Sequence, residues 1–260
     1  MPLSSEVRSA SNSYVKHLAK LQKSTKYRRE CQTYVFVGDK PLREALPLLD
    51  VRAVLARDPD DWRDVAPNAA PLVRASAAVL DKLSGVSNAD AVTAVAECHM
   101  PPHTRYPPDA AIDRLLVLDG VQDPGNAGTL LRTAAALGWT HIFLAPGCCD
   151  IYNDKLLRAM RGGLAQLDVV EGDASALQGV LDEHGLALLV ADMDGAAAED
   201  AAVDDAARVA LALGAEGMGV SKEIRALADR TVGVPIARGA MESLNVGVAG
   251  GILMYGLRRR

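Results

Sequence analysis

Three segments of the sequence combine glycines with amide, carboxyl and hydroxyl side chains, and each follows a short apolar run. They are residues 119–132, 213–221 and 234–246, here called the first, second and third loops. In open α/β folds, ligands bind outside the carboxyl ends of the strands, where loops of this kind lie. The sequence therefore predicts that the chemistry resides in these loops.

In the first loop, a Pro-Gly-Asn turn leads into a helix, and we expect Asn126 to cap that helix. Arg132 then lies about a turn and a half inside the helix. Taken alone, this loop favours the simpler interpretation of a capped helix with a surface arginine.

The second loop contains Gly214, Gly217 and Gly219, which allow the backbone to approach a ligand closely. Glu216 stands among them, and a loop that binds phosphate would not favour a carboxylate. The spacing also matches neither the dinucleotide fingerprint nor the P-loop. A ligand with hydroxyls or a positive charge fits better, and the sulfonium and amino groups of S-adenosylmethionine are of this kind. A plain turn remains the alternative.

The third loop ends in Ser243-Leu244-Asn245, just before an apolar stretch. Ser243 stands where a helix begins and could serve as its N-cap. Asn245 would then be an unusual residue inside the first turn. Alone, this loop indicates only the start of a helix.

In this order and spacing, the three loops resemble the SpoU (TrmH-like) family of RNA ribose methyltransferases of the SPOUT superfamily. The matches are Asn126-x5-Arg132, then Gly214-Ala215-Glu216-Gly217-x-Gly219, and then Pro235-x8-Leu244-Asn245-Val246. The resemblance covers most of residues 110–260. Ile236 and Gly247 stand where the family commonly has Met and Ser, and neither departure removes a polar group needed for the chemistry.

The resemblance implies transfer of a methyl group from S-adenosylmethionine to a ribose 2′-hydroxyl, with no metal ion. The residues implied for catalysis are Asn126, Arg132, Glu216, Ser243 and Asn245. Those implied for binding the cofactor are Leu213, Gly214, Gly217, Gly219, Val234, Ile236, Leu244 and Asn245. It also implies a C-terminal trefoil knot and a homodimer whose site lies near the subunit interface.

The hydroxyl nucleophile must lose a proton, and in the family the arginine that matches Arg132 has been given a part in this step. A guanidinium has a pKa above about 12 and does not release its proton in a protein. We therefore expect Arg132 to hold an RNA phosphate and to stabilise the developing alkoxide, while the phosphate or a water takes the proton.

The N-terminus is basic although the whole chain carries a net charge of −5. Residues 11–16 and 26–29 resemble the opening of the substrate-binding domain of many family members, a small α/β RNA-binding fold similar to a ribosomal protein. The residue after Val37 begins a Gly-Asp turn where many members have Glu-Gly. The resemblance and the charge suggest RNA contacts at Asn12, Lys16, Lys26, Arg28 and Arg29. A solvated helix face is the alternative explanation of the charge.

Composition and patterning predict an α/β protein with a mostly parallel sheet. Of 260 residues, 49% are hydrophobic but only 4% are aromatic, which favours this class over a β-sandwich. Two Pro-Pro pairs mark a linker, giving an RNA-binding domain at 1–100, a linker at 101–109 and a methyltransferase domain at 110–260. The predicted helices are 12–21, 42–49, 76–83, 127–137, 156–160, 176–183, 221–227 and 245–257; the predicted strands are 34–37, 53–56, 91–96, 115–118, 142–144, 167–170, 187–190, 209–213 and 232–234.

Four cysteines without a CxxC pair favour a reduced, intracellular protein of the cytoplasm or of an organelle such as a chloroplast or mitochondrion. No apolar run approaches the roughly 20 residues of a membrane span. The N-terminus has no signal-peptide pattern.

Several functional alternatives stay open at this level. The two-domain layout favours ribosomal RNA, with guanosine as the target, over transfer RNA. A non-catalytic RNA-binding relative is disfavoured by the complete polar set, and a dehydrogenase by the lack of its glycine-rich turn. Methylation of a base rather than a ribose is disfavoured by the Ser-Leu-Asn motif.

Overall fold

The computed structural model describes residues 5–67, 70–85, 92–101, 105–197, 207–237 and 243–258. The chain forms two compact units. Unit 1 comprises Met1–Pro102 and Asp150–Ala165, and unit 2 comprises His103–Cys149 and Gln166–Arg260. The sequence placed its boundary in the linker at 101–109. It gave no sign that residues 150–165 pack with the N-terminal unit.

Unit 1 is built around a mixed sheet covered by helices. Its N-terminal elements are β1 (Glu6–Val7), α1 (Ser13–Lys23), α2 (Thr25–Cys31), β2 (Thr33–Val37), α3 (Asp39–Ala45), β3 (Val51–Ala56), β4 (Leu72–Ala75), α4 (Ala77–Ser84) and β5 (Ala94–His99). The strand order is β1-β4-β3-β5-β2, in which β5 runs antiparallel to both of its neighbours. The apolar faces of α1 and α4 form a core with the sheet, as their spacing predicts.

A buried carboxylate attaches α1 to the sheet. The Glu97 side chain on β5 is fully buried and accepts hydrogen bonds from the Tyr14 hydroxyl at 2.6 Å and from Arg52 at 3.3 Å, while His17 Nε2 lies 3.0 Å from it. Burial alone raises the pKa of Glu97, but the hydrogen bonds from His17 and Tyr14 and the charge of Arg52 outweigh it and hold the pKa below its ordinary value. The ionised form is therefore part of the folded unit.

The remaining elements follow the linker. They are β6 (Arg114–Asp119), α5 (Pro124–Ala136), β7 (His141–Leu144), α6 (Asp154–Met160), β8 (Asp168–Glu171), α7 (Ala174–His184), β9 (Ala187–Ala197), β10 (Val209–Gly214), α8 (Lys222–Arg225), β11 (Arg230–Gly233) and α9 (Val246–Gly256). Of these, α6 belongs to unit 1 and all the others to unit 2.

The sheet of unit 2 is entirely parallel, in the order β11-β9-β10-β6-β7-β8. Its central strands β6 and β10 consist of near-continuous apolar runs, because helices cover both faces. The register places Asp119 at the end of β6 beside Gly214 at the end of β10. The first and second loops therefore leave the sheet side by side.

Where β11 joins β9, the two backbones touch. The pairing jumps from Val190 opposite Thr231 to Ala196 opposite Val232, so β9 bulges between them. A Cβ on Gly195 would lie 2.4 Å from the Val232 carbonyl carbon, and one on Gly233 would lie 2.6 Å from the Asp192 carbonyl oxygen. Only glycine fits at either position.

The closing helix α9 packs equally closely on the body of unit 2. A Cβ on Gly250 would lie 2.3 Å from Leu130 Cδ2 and 2.5 Å from Leu213 Cδ1. Glycines weaken a helix by propensity, but here the missing side chain lets α9 approach α5 and β10.

The predicted elements are confirmed with shifted ends. Among the α-helices and strands of the described ranges, the sequence missed α2 and the short strands β1 and β4. The predicted helix 42–49 begins earlier, at Asp39, and passes at Leu46 into a 3₁₀ turn. Strand β9 runs seven residues beyond the predicted 187–190 (to 197), because its second half pairs with β11 rather than β10. In the described ranges no helix is long and apolar enough to cross a membrane.

Because α9 contacts α5 and β10 at Gly250, a side chain at this position should destabilise the fold more than one at the adjacent Gly251. We expect Gly250→Ala to lower the free energy of unfolding, because overpacking a buried contact costs about 1–3 kcal/mol and outweighs the gain in helix propensity of about 1 kcal/mol. Gly251→Ala is the matched control, since its nearest neighbour would be Thr133 Cγ2 at 3.8 Å. It should be neutral or stabilising in urea unfolding, and equal effects of the two changes would contradict this packing.

Candidate active site

The three loops meet at the carboxyl edge of the parallel sheet, as their positions after strands predict. The first loop follows β6, the second follows β10 and the third leads from β11 into α9. Side chains from all three are in direct contact, although they lie up to 119 residues apart in the chain.

The contact is a triangle of Asn126, Glu216 and Asn245. Asn126 Nδ2 donates to Glu216 Oε1 at 2.5 Å, and Asn245 Nδ2 donates to the same oxygen at 3.1 Å and to Asn126 Oδ1 at 3.0 Å. One carboxylate oxygen thus accepts from two amides, which fixes the orientation of both amide planes.

Both helices at the site begin at residues other than those expected. Asp123, not Asn126, caps α5, because its Oδ1 accepts from the Asn126 backbone N–H at 2.8 Å. Asn245, not Ser243, caps α9: its Oδ1 accepts from the N–H groups of Gly247 at 2.9 Å and Val248 at 3.3 Å. The Asn126 side chain is therefore free of the capping role and can turn toward the other loops.

The second loop is a tight reversal that presents Glu216. Ala215 and Gly219 form an antiparallel pair, and Gly217 and Gly219 have φ values of +80° and +68°. A Cβ on Gly214 would lie 2.0 Å from the Gly219 carbonyl carbon. Glycine is thus required here by the backbone conformation and by the close packing of the two sides of the loop, whether or not a ligand binds.

Two of the predicted catalytic residues lie outside the triangle. Arg132 and Ser243 are exposed, and neither forms a hydrogen bond or ion pair with another residue in the part of the chain that the structure describes. Arg132 lies six residues, or about 240°, around α5 from Asn126, so the two side chains leave different sides of the helix. Both are available to a substrate.

The residues predicted to bind the cofactor surround the same edge, with one exception. Gly214, Gly217 and Gly219 form the second loop. Val234 and Ile236 lie at the start of the third loop and Leu244 near its end; Val234 and Leu244 are half-buried, and Ile236 is exposed. Residues 238–242 of this loop lie outside the described ranges. Leu213 is 1% exposed, and its side chain lies under Gly250 of α9. It can therefore offer a ligand its backbone but not its side chain.

Sequence reasoning gave no role to two carboxylates that contact the second loop or the helix after it. Asp119 Oδ2 accepts from the Ser221 backbone N–H at 2.6 Å, and Asp192 accepts from Arg225 of α8. The Asp194 backbone N–H and then Arg225 lower the pKa of Asp192. An aspartate ending an apolar strand was the available signal for Asp119.

A half-buried thiol, that of Cys148, follows the neighbouring strand β7. Cys148 donates to the Leu118 carbonyl oxygen at 3.2 Å, and burial raises the pKa of its thiol, so little thiolate forms at neutral pH. Within the described ranges no three His, Cys, Asp or Glu side chains are grouped to hold a metal ion. The arrangement can orient a hydroxyl or a charged ligand through amides and a carboxylate.

The residues predicted to contact RNA lie in unit 1, and one of these predictions is wrong. Arg28 is 2% exposed: it donates to Asp150, to the Leu21 and Gln22 carbonyls at the end of α1, and to Thr25. Its charge is used to join α1 and α2 to the segment that begins at Asp150, because buried guanidinium groups need their donors satisfied.

The other candidates are at the surface. Lys16, Lys26 and Arg29 are exposed, while Asn12 uses its Oδ1 to cap α1 through the Tyr14 N–H at 2.8 Å. Lys20 and Lys23 are also exposed and follow Lys16 at helical spacing. The basic face of α1 therefore consists of Lys16, Lys20 and Lys23.

The model of the SpoU rRNA Methylase family matches residues 113–255. The chain is similar to 23S rRNA (guanosine(2553)-2′-O)-methyltransferase RlmP of Bacillus subtilis, at 31% identity over 260 residues that cover 97% of this chain and 99% of that protein. It is also similar to 23S rRNA (guanosine-2′-O-)-methyltransferase RlmB of Ralstonia nicotianae, at 35% identity covering 54% of this chain and 56% of that protein.

Among solved structures, the chain shares its fold with the AdoMet-bound rRNA methyltransferase from Sinorhizobium meliloti. The TM-score is 0.85 over 98% of this chain and 97% of that one, at 24% identity. This likeness concerns the α/β fold with its mostly parallel sheet.

The triangle predicts a pH-dependent effect of one substitution. Asn245→Asp keeps an N-cap for α9 but places a second carboxylate against Glu216, where two negative charges repel. The folded protein then binds a proton more readily than the unfolded chain, so its stability falls as pH rises. We expect the variant to be less stable than the wild type at pH 7 and the difference to shrink below about pH 5.

The measurement is urea unfolding across this pH range. Asn245→Ala is the control, because it removes the cap and both triangle bonds without adding a charge. A loss of stability in N245D that does not change with pH would contradict the contact with Glu216.

Proposed function

The chain belongs to the SpoU rRNA methylase family, and from this premise we propose that it methylates a ribose 2′-hydroxyl of ribosomal RNA, with a guanosine as the target and S-adenosylmethionine as the methyl donor. The observation that carries the proposal is the triangle of Asn126, Glu216 and Asn245, in which one residue from each of the three family motifs meets the other two. Two relatives named for guanosine 2′-O-methylation support the target nucleotide.

The residues at the sheet edge fit the donor. The second loop has a carboxylate on an exposed tip and glycines that leave its outer face open, with nothing within 4 Å of a Cβ placed on Gly217. These features suit a cationic ligand with hydroxyls better than a phosphate. Gly214, Gly219, Val234 and Leu244 would hold it. The donor supplies a methyl group on a sulfonium, and the neutral thioether that leaves needs neither an acid nor a metal.

The chain's own part in the reaction is to position and stabilise. Both hydrogen bonds to Glu216 Oε1 come from amides, so this oxygen organises Asn126 and Asn245 rather than removing a proton. The exposed Ser243 and the outer parts of the triangle would orient the ribose. Arg132 stands free on the exposed side of α5 and would bind an RNA phosphate and the developing alkoxide. The proton passes to that phosphate or to a water.

RNA affinity is proposed to come in part from the basic face of α1 in unit 1. Lys20 Nζ lies 3.9 Å above the Tyr27 ring, so this charge is held close to the helix surface. With Lys16 and Lys23 on the same helix, three cations are presented at the spacing of successive turns.

We further propose the trefoil knot and the homodimer of this family. The knot is supported by the order β11-β9-β10-β6, in which the chain crosses β9 after β10, and by the backbone contacts of Gly195 and Gly233.

The dimer is supported by an apolar stripe on α9, where Val248, Ile252 and Tyr255 are about half exposed at spacings of four and three residues. Sedimentation should give a dimer, and Ile252→Glu a monomer.

The proposed activity predicts one new 2′-O-methyl group in unmodified ribosomal RNA incubated with the protein and S-adenosylmethionine. It would be seen as a single guanosine whose 3′ phosphodiester resists alkaline hydrolysis. Asn245→Ala should lower kcat by on the order of a hundredfold, because it removes oriented groups at the reacting centre. The control is Asn153→Ala, which removes an asparagine cap from α6 in unit 1 and should keep its activity. Methylation of transfer RNA only, or no turnover, would refute the proposal.

The same assay tests the role of Arg132. We expect Arg132→Ala to weaken RNA binding and to lower kcat by roughly 10²–10³-fold, as for loss of a group that stabilises an oxyanion. The profile of kcat against pH at saturating donor and RNA should keep its shape. An ionisation near neutral pH that disappears in this variant while RNA affinity is unchanged would make Arg132 the base instead.

The basic face predicts how RNA affinity depends on salt. We expect Lys16→Ala or Lys20→Ala to weaken binding for all sequences alike and to reduce the slope of log affinity against log salt by about one. Lys40→Ala is the control, because it removes the same charge from α3 in the same unit. If K16A, K20A and the wild type show equal slopes of log affinity against log salt, α1 does not contact the RNA phosphates.

A further inference from the structure

The second loop is held from both sides by carboxylates that belong to the neighbouring strands. Strand β10, from which the loop leaves, lies between β6 and β9. Asp119 ends β6, and Asp192 lies in β9, just beyond the stretch that pairs with β10. Each is the acceptor for a group in or just after the loop.

Asp119 fixes the loop where it returns to the body of unit 2. This residue is 7% exposed, and its Oδ2 accepts from the Ser221 backbone N–H at 2.6 Å. Ser221 in turn caps α8 through its own side chain. The distance and burial indicate a strong charge-assisted hydrogen bond, which attaches the end of the loop to the end of β6.

Asp192 holds the other side through Arg225 of α8. The Arg225 guanidinium donates to Asp192 Oδ2, and its Nη2 lies 3.8 Å from where a Cβ on Gly219 would be. Asp192 also accepts from the Asp194 N–H at 3.0 Å, which keeps its carboxylate in place on the bulge of β9. The guanidinium therefore lies beside the glycine at which the loop closes.

Hydrogen bonds between Ala215 and Gly219 close the loop, but its position against the first and third loops depends on contacts with neighbouring elements, since its glycines permit many conformations. We propose that Asp119 and Asp192 are positioning residues that hold the second loop in the geometry that binds S-adenosylmethionine and places Glu216 against Asn126 and Asn245. This inference rests on the function proposed above. Neither carboxylate touches the donor in it; each acts through the loop.

The test is donor binding by calorimetry with the full chain and S-adenosylmethionine alone, together with KM for donor and for RNA. We expect Asp119→Ala to raise the donor Kd about tenfold, the usual effect of losing a hydrogen bond to a charged group, and to leave the KM for RNA unchanged. Asp119→Asn should stay close to wild type, because its amide oxygen accepts the same N–H. Asp192→Ala should raise the donor Kd less, since Arg225 is partly exposed.

The matched control is Asp229→Ala. Asp229 Oδ2 also accepts a backbone N–H, from Leu188 at 2.7 Å, but where β9 begins, at the opposite edge of the same sheet. It should lower stability without changing the donor Kd. The inference is overturned if D229A and D119A raise the donor Kd equally, if D119N binds as weakly as D119A, or if neither D119A nor D192A changes it.

Failure of the proposed function would give a different experimental result from failure of this inference. A wild-type protein that binds the donor but methylates no ribose would refute the function and leave the positioning role testable by calorimetry. If circular dichroism shows that Asp119→Ala does not fold, Asp192→Ala and Asp119→Asn carry the test. The first change lies at a partly exposed ion pair, and the second keeps nearly the same side-chain shape.

Discussion

One side-chain amide joins three parts of unit 2 at a single point. The oxygen of Asn245 accepts from the first N–H groups of α9, and its nitrogen donates to Asn126 at the start of α5 and to Glu216 in the second loop. An amide has one acceptor end and one donor end, so its plane is fixed once both are used. The entry of the closing helix and the polar centre of the site are therefore determined together.

This arrangement needs α9 to be close to its neighbours, and glycine is what permits it. Gly250 lets the helix approach Leu130 and Leu213, and Gly247 lies beside Thr129 of α5. Larger residues would lift α9 and carry Asn245 away from Asn126. The glycines lower helix propensity, but they permit the polar contact of Asn245, which lies about half a turn from Gly247 and about one and a half turns from Gly250. Packing in the core is thus linked to geometry at the surface.

The two units differ in the charged and polar side chains that they present. Unit 2 gathers amides and a carboxylate at its site, whereas the basic face of α1 lies in unit 1. In unit 1, one of the arginines predicted to contact RNA is instead buried: Arg28 donates to carbonyls at the end of α1 and pairs with Asp150. A charge run in a sequence therefore mixes groups that face solvent with groups that hold the fold, and burial alone separates them.

The sequence by itself determined the α/β class, most elements and the three loops, because apolar periodicity and turn residues are local properties of the chain. The reaction class was implied by the resemblance of the three motifs to a known family. Their order along the chain and the parallel sheet also placed the loops at one edge. Which side chains touch was decided only by the tertiary structure. Asn126 and Ser243 could each have been a helix cap or a site residue, and the outcome depended on Asp123 capping α5 and on Asn245 capping α9. The roles of Asp119, Asp192 and Arg28 were hidden for the same reason: their partners lie 102, 33 and 122 residues away, and the pairing of distant residues follows from strand order and packing, which no local pattern encodes.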